Sequence, residues 1–164
     1  MNNINFRQIG TIYTPFNSLE NMPIQPAAAD GVKGTVEVFP EFTEGLSDLE
    51  GFSHIYLIFH LHLSTDYRLK VKPFLDDELR GVFSTRAPKR PNPIGISVVK
   101  LISVKNNILE VENLDIFNGT PLLDIKPAIP DMYNLENCKI GWIEKSKNTI
   151  KEKKSDGRYL WTKV

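Results

Sequence analysis

Apolar positions along this chain recur with a period of two or in short β-branched runs. That spacing belongs to strands, not to amphipathic helices. The pattern predicts strands over residues 6–13, 32–39, 54–63, 81–85, 94–104, 108–114, 120–126, 139–144 and 159–164. Only residues 44–50 and 133–136 read as helices, and both are short. Pro23, Pro26, Pro40, Pro73, Pro121 and Pro130 stand among the breakers between these runs. Eleven prolines and ten glycines punctuate strands far more readily than they interrupt helices. Many short strands with few helices predict a mainly β domain, an antiparallel barrel or sandwich. Two common nucleotide-binding devices are absent: the strand–helix alternation with a glycine-rich first turn, and the phosphate-cradling GxxxxGK[ST] loop.

Length and composition then set the scale. With 164 residues the chain is expected to form one domain over residues 1–164. A chain of that size buries roughly 68–70% of its unfolded surface and needs no disulfide or metal staple. A hydrophobic share of 41% with 24% charged residues is ordinary globular composition and argues against disorder. Cys138 stands alone, which excludes an intramolecular disulfide and cysteine-rich metal sites. No apolar run approaches the ~18–20 residues of a membrane helix. The sequence MNNINFRQIG lacks the basic-then-apolar order of a signal peptide, so a cytoplasmic protein is expected.

Charge changes the picture more. Twenty basic and twenty acidic residues sum to zero, but they are segregated. Glu37, Glu41, Glu44, Asp48, Glu50 and Asp66 fall in a stretch without Lys or Arg. Residues 80–109 contain no acid and carry Arg80, Arg86, Lys89, Arg90, Lys100 and Lys105. A second basic run, residues 145–154, has Glu152 as its only acid. Electrostatic attraction depends on where charge sits, so neutrality overall is compatible with a basic surface facing a nucleic acid.

Four segments carry candidate chemistry. In SHIYLIFHLHL, His54, His60 and His62 occupy even positions, with Tyr56 and Ile58. A regular strand puts them on one face and the odd positions 55–63 on the core face. His60-x-His62 is a known way to offer two imidazoles to one metal, although no cysteine or carboxylate nearby completes a set beyond Asp66. A polar ligand pocket on that face is the other reading. In GVFSTRAPKRPNPIG, three prolines stiffen a loop bearing Arg86, Lys89, Arg90 and Asn92. Pre-ordered guanidinium groups lose less entropy on clamping an anion, and arginine grips carboxylate or phosphate bidentately. Asn118-Gly119 predicts a tight hairpin turn, because both residues tolerate positive φ. Backbone groups of Asn118, Gly119 and Thr120 could face a ligand there, with Asp115 and Asp124 the nearest carboxylates. In MPIQPAAAD, prolines flank Gln25 and small residues follow, which suggests an extended loop for a flat ligand.

Together, IGTIYTPF, the Pro-Gln-Pro loop, PEFTEGLSDLEGFSHIYLIF, GVFSTRAPKRPNPIG and NGTPLLDIKP resemble the TsaA-like family, which includes the TrmO tRNA methyltransferases. The resemblance runs over about residues 8–130, with residues 139–164 as C-terminal strands beyond it. It implies a single antiparallel β-barrel, usually dimeric, that uses S-adenosylmethionine. The reaction it implies is methylation of N6 of threonylcarbamoyl-adenosine at tRNA position 37. On matching motif positions it implies a cofactor site of Gln25, Pro26, Ala27, His62, Leu63, Arg86, Asn118, Gly119 and Thr120. Lys89, Arg90 and Asn92 then meet tRNA, and His62 or Asp115 serves as the catalytic base. The chain departs from the family at Asn118, where an aspartate usually precedes Gly-Thr-Pro, and in a short C-terminal part. Two other readings stand beside this one. They are a metal-dependent enzyme built on His60 and His62, and a non-catalytic S-adenosylmethionine-binding domain.

Overall fold

A computed structural model describes residues 3–20, 22–24, 28–128 and 154. Eight strands form: β1 (Gly10–Tyr13), β2 (Lys33–Val38), β3 (His54–His60), β4 (Lys70–Val71), β5 (Arg80–Gly81), β6 (Ile94–Lys105), β7 (Ile108–Glu112) and β8 (Thr120–Pro127). Six of them close an antiparallel barrel in the order β1-β2-β7-β6-β3-β8, so the mainly β, single-barrel expectation holds. Closure removes the exposed edges that an open sheet of this size would leave. The period-two pattern is what fills it. On β3, Ile55, Leu57 and Phe59 are buried, while Tyr56, Ile58 and His60 face outward. On β6, Ser97, Val99 and Leu101 are buried, and Ile94, Ile96, Val98 and Ile102 are exposed. The core gathers Ile12, Val36, Ile55, Leu57, Leu109 and Leu122 inside the barrel.

Residues 61–93, between β3 and β6, leave the barrel as an excursion carrying the β4–β5 pair. It has a small core of its own, made by Val71, Val82 and Ala87. Residues 113–119 run from β7 to β8, which are not neighbours in the barrel. On the way they bury Leu114 and Ile116 in the core.

Four local expectations are corrected. The strand over 81–85 is only Arg80–Gly81, followed by a 3₁₀ turn over Val82–Ser84. That turn is held by Ser84 Oγ and Thr85 Oγ1, which donate to the carbonyls of Gly81 and Val82. The helix over 44–50 is instead two 3₁₀ segments, Pro40–Leu46 and Leu49–Gly51. Asp48, at φ 64°, breaks them apart, because a left-handed residue cannot continue a right-handed helix. The strand over 54–63 stops at His60, where the His62 N–H turns back to the His60 carbonyl at 2.8 Å. Asn118-Gly119 makes a tight turn with Gly119 at φ 76°, but not a hairpin, since the strands it joins are not adjacent. The elements expected over 133–136, 139–144 and 159–164 lie outside the described residues, as do Gln25, Pro26 and Ala27.

Candidate functional site

One end of the barrel is where β3 finishes, β6 and β8 begin, and the 113–119 crossing passes. The excursion folds beside this end, and a cavity of about 460 Å³ lies between them. Its walls are mainly apolar: Leu19 and Met22, Phe59 and Leu61, Phe74 and Leu75, Ile116 and Phe117. Polar groups converge within them, among them His62, Arg86, Ser97, Asp115 and Thr120, with Ser64, Thr85, Lys89 and Arg90 on the loop side. That combination of apolar walls and placed polar groups is the usual make-up of a small-molecule site.

Asp115 is the largely desolvated carboxyl of the cavity wall. Ser97 Oγ donates to its Oδ1 at 2.6 Å. Ser97 is the one polar residue among the buried positions of β6 and is itself buried. Burial pushes the Asp115 carboxyl above the usual carboxylate range, against smaller opposing effects of the Ser97 hydrogen bond and the Arg86 charge. Arg86 lies at the exposed rim, where its guanidinium donates to the Ile96 carbonyl. The turn after β3 carries His62 into the cavity wall, 6.1 Å from the Phe117 ring, centroid to centroid. Desolvation holds the His62 imidazole below its ordinary range, with the His60 charge adding to this and a hydrogen bond with the His60 backbone opposing it. The two perturbed groups of this wall are therefore a carboxyl biased towards its neutral form and an imidazole biased towards its neutral form.

The proline-stiffened loop is braced from within. Arg90 Nη1 donates to the carbonyls of Val82 at 3.0 Å and Thr85 at 2.9 Å. Lys89 pairs with Asp66 at 3.0 Å, and Ser64 Oγ donates to the Pro88 carbonyl at 2.9 Å. Much of the loop's cationic chemistry thus holds its own shape. Gly95, closing the RPNPIG motif, packs so tightly that a Cβ there would collide with the Phe59 ring.

Of the positions expected from sequence, His62, Leu63, Arg86, Lys89, Arg90, Asp115 and Thr120 line the cavity. Asn118, Gly119 and Asn92 do not. The Asn118 side chain points elsewhere: its Oδ1 accepts from the Thr14 N–H at 3.0 Å, and its Nδ2 donates to Asn17 Oδ1 at 2.8 Å. The three histidines do not share a face. His62 lines the cavity and His60 does not, because the turn at residues 60–62 ends the strand alternation. Among the described residues, no three His, Cys, Asp or Glu side chains are grouped to hold a metal. Ser97 and Phe117 escaped the sequence reading. A serine alternating with valine and leucine on the core face of a strand was the available signal for the first.

The tRNA-methyltransferase O N-terminal domain family matches residues 11–133. The chain belongs to that family. A tRNA-methyltransferase O crystal structure superposes with a TM-score of 0.74 at 37% identity, over 85% of this chain and 64% of that one. A Pyrococcus abyssi relative named as a probable S-adenosyl-L-methionine-binding protein is 53% identical, over 94% of this chain and 84% of its own length. The tRNA (adenine(37)-N6)-methyltransferase of Escherichia coli is 33% identical, over 88% of this chain and 66% of its own. This tRNA-methyltransferase O family member thus spans about two thirds of the Escherichia coli enzyme and of the solved chain.

Proposed function

We propose that this protein is a cytoplasmic, homodimeric methyltransferase that uses S-adenosylmethionine to methylate N6 of threonylcarbamoyl-adenosine at position 37 of tRNA. The observation that carries the reading is the cavity at the barrel end, where Asp115, Ser97, Arg86 and His62 converge among apolar walls. The names of the Pyrococcus abyssi and Escherichia coli relatives supply the cofactor and the reaction class.

The residues present fit the cofactor. A volume of about 460 Å³ falls within the range of about 300–1,000 Å³ usual for small-molecule sites. The rings of Phe59 and Phe117 offer apolar surface to an adenine, and Arg86 at the rim suits the methionine carboxylate. Burial biases the Asp115 carboxyl towards its neutral form, and a sulfonium cation bound beside it would draw it to the ionised form that complements the charge. Leu63 and Thr120, both on the cavity lining, add to the proposed cofactor contacts, and Gln25, Pro26 and Ala27 are assigned to the cofactor by family resemblance.

When bound, the cofactor supplies an electrophilic methyl group on sulfur. The protein's own task is to orient the acceptor and take its proton. N6 of the acceptor is a ureido nitrogen whose lone pair is delocalised, so it becomes nucleophilic only as its proton leaves. His62 is proposed to accept that proton, because desolvation keeps its imidazole neutral near neutral pH. Asp115 holds the cationic centre and is proposed as the electrostatic partner. Lys89, Arg90 and Asn92, around the rim, are assigned to tRNA phosphates and the threonyl carboxylate.

Dimerisation rests on the outer face of β6, where Ile94, Ile96, Val98 and Ile102 are all exposed. Paired outward positions of β3 extend that stripe, Tyr56 beside Val98 and Ile58 beside Ile96. Incubation with methyl-labelled S-adenosylmethionine and tRNA carrying or lacking the threonylcarbamoyl group tests the reading. Label on the modified tRNA alone supports it. Label on unmodified tRNA overturns the acceptor, and cofactor binding without transfer to either leaves a binding domain.

A further inference from the structure

The excursion between β3 and β6 exposes a cluster of large apolar side chains that neither the barrel core nor the cavity uses. Phe83 is 73% exposed, Leu79 66%, Leu69 62% and Tyr67 60%. These side chains are presented on a fixed backbone. Phe83 sits in the 3₁₀ turn over Val82–Ser84, pinned by the hydroxyls of Ser84 and Thr85. The Arg90 guanidinium lies 5.7 Å from its ring centroid and is itself tied to the Val82 and Thr85 carbonyls. The ring contacts the braced arginine and is otherwise largely exposed, so it is open to a stacking partner.

The surroundings hold both charge signs, with Lys72, Arg80 and Lys89 paired to Asp77, Asp76, Glu78 and Asp66, and two cations outside those pairs. The chain over 67–70 is bonded to this turn and to the cavity loop, through Val82 N–H to the Leu69 carbonyl and Arg68 N–H to the Lys89 carbonyl. It carries Arg68 and Lys70, both exposed and in no ion pair among the described residues. Arg90 links the two features, since it lines the cavity and also packs on Phe83. Aromatic rings interleaved with cations are the pattern that receives unpaired nucleotides, because bases stack on the ring while phosphates meet the charges.

We propose that Phe83 is a stacking platform for a nucleobase flanking the target nucleotide of an RNA loop, with Arg68 and Lys70 on the adjoining phosphates. This rests on the RNA-modifying reading above and names the residue that seats the loop next to the cavity. It also explains why so apolar a side chain stays exposed beside Arg68 and Lys70.

The test compares wild type with Phe83→Ala and Phe83→Trp for affinity towards a tRNA anticodon stem-loop and towards S-adenosylmethionine. Phe83→Ala is expected to weaken RNA binding by about 5- to 150-fold, which is the stacking contribution of one base. Phe83→Trp retains the affinity, and cofactor affinity stays at the wild-type value in both, since Phe83 does not line the cavity and Arg90 keeps its Val82 and Thr85 carbonyl partners. Arg68→Ala with Lys70→Ala lowers the salt dependence of RNA binding. Wild-type methyl transfer to tRNA with unchanged RNA affinity in Phe83→Ala overturns the platform and leaves the function intact. A wild type that neither binds nor methylates RNA overturns both. A loss of dimer in Phe83→Ala, with RNA affinity unchanged, assigns the face to a second copy and overturns the proposal.

Discussion

Asp115 and His62 lie on one cavity, and burial biases both towards their neutral forms, so they load stability in opposite pH directions. The folded chain holds the Asp115 proton to higher pH than the unfolded chain does. Its contribution is complete below the ordinary carboxylate range and is lost as pH rises through the raised value. His62 resists protonation when folded, so its contribution is complete above the ordinary imidazole range and is lost as pH falls through the lowered value. Asp115→Asn keeps an acceptor for Ser97 and removes the charge. Thermal melts from about pH 4 to 8 should therefore show a smaller decline on the alkaline side than wild type. A decline equal to that of wild type would place the pH sensitivity elsewhere. Ser97→Ala removes a hydrogen bond that holds the Asp115 pKa down, so it raises that value further. If ionised Asp115 complements the sulfonium, cofactor affinity rises with pH, and the rise shifts to higher pH in Ser97→Ala. The neutral thioether product serves as the control, since its binding lacks that dependence. Leaving the buried carboxyl short of a donor costs roughly 1–3 kcal/mol of stability as well.

At the scale of elements, the RPNPIG turn into β6 is built on one close approach. Gly95 faces Phe59 across the β3–β6 pair, and no room exists there for a methyl group. Gly95→Ala is expected to destabilise by about 1–3 kcal/mol through overpacking. Phe59→Leu in the same chain should recover part of that loss, a coupling that a double-mutant cycle of denaturant midpoints reads directly. The barrel strands were legible because alternation survives wherever a strand has one buried face, as on β3 and β6. Their ends were less so. The single N–H to C=O contact from His62 to His60 ends β3 and sends His62 into the cavity, and no residue type in HLHL announces it. Asp48 at positive φ split a segment whose composition reads as a helix. The Asn118-Gly119 pair specified its local turn correctly, but the order in which strands neighbour one another is a long-range property that a dipeptide does not encode. Arg86, Lys89 and Arg90 were identified by type and loop stiffness. That Arg90 directs its Nη1 to the Val82 and Thr85 carbonyls is a consequence of the 3₁₀ turn, where the residue pattern alone predicts a strand.

At the scale of the molecule, the barrel leaves one face unexplained by its own core. Ile94, Ile96 and Val98, and Ile102 beyond the exposed Lys100, lie on the outside of β6, where alternation in a monomer would place polar side chains. Exposed apolar side chains grouped in this way on one strand face mark a candidate interaction surface. Ile94 and Ile96 also line the cavity, and Arg86 reaches the Ile96 carbonyl, so a second copy seated on β6 would abut the site. Stable association needs about 1,200–2,000 Å² buried in total, so a dimer formed through β6 would draw on the outward residues of β3 as well. Val98→Glu with Ile102→Glu places two charges on the stripe without touching the cavity lining. Both positions face outward in the monomer, so the variant is expected to stay folded, with a melting curve that is cooperative but dependent on protein concentration to a smaller degree. Sedimentation should give a dimer for wild type and a monomer for the variant. If the neighbouring copy helps to shape the cavity, the monomeric variant also binds S-adenosylmethionine more weakly. A variant that remains dimeric would move the interface to another face of the barrel.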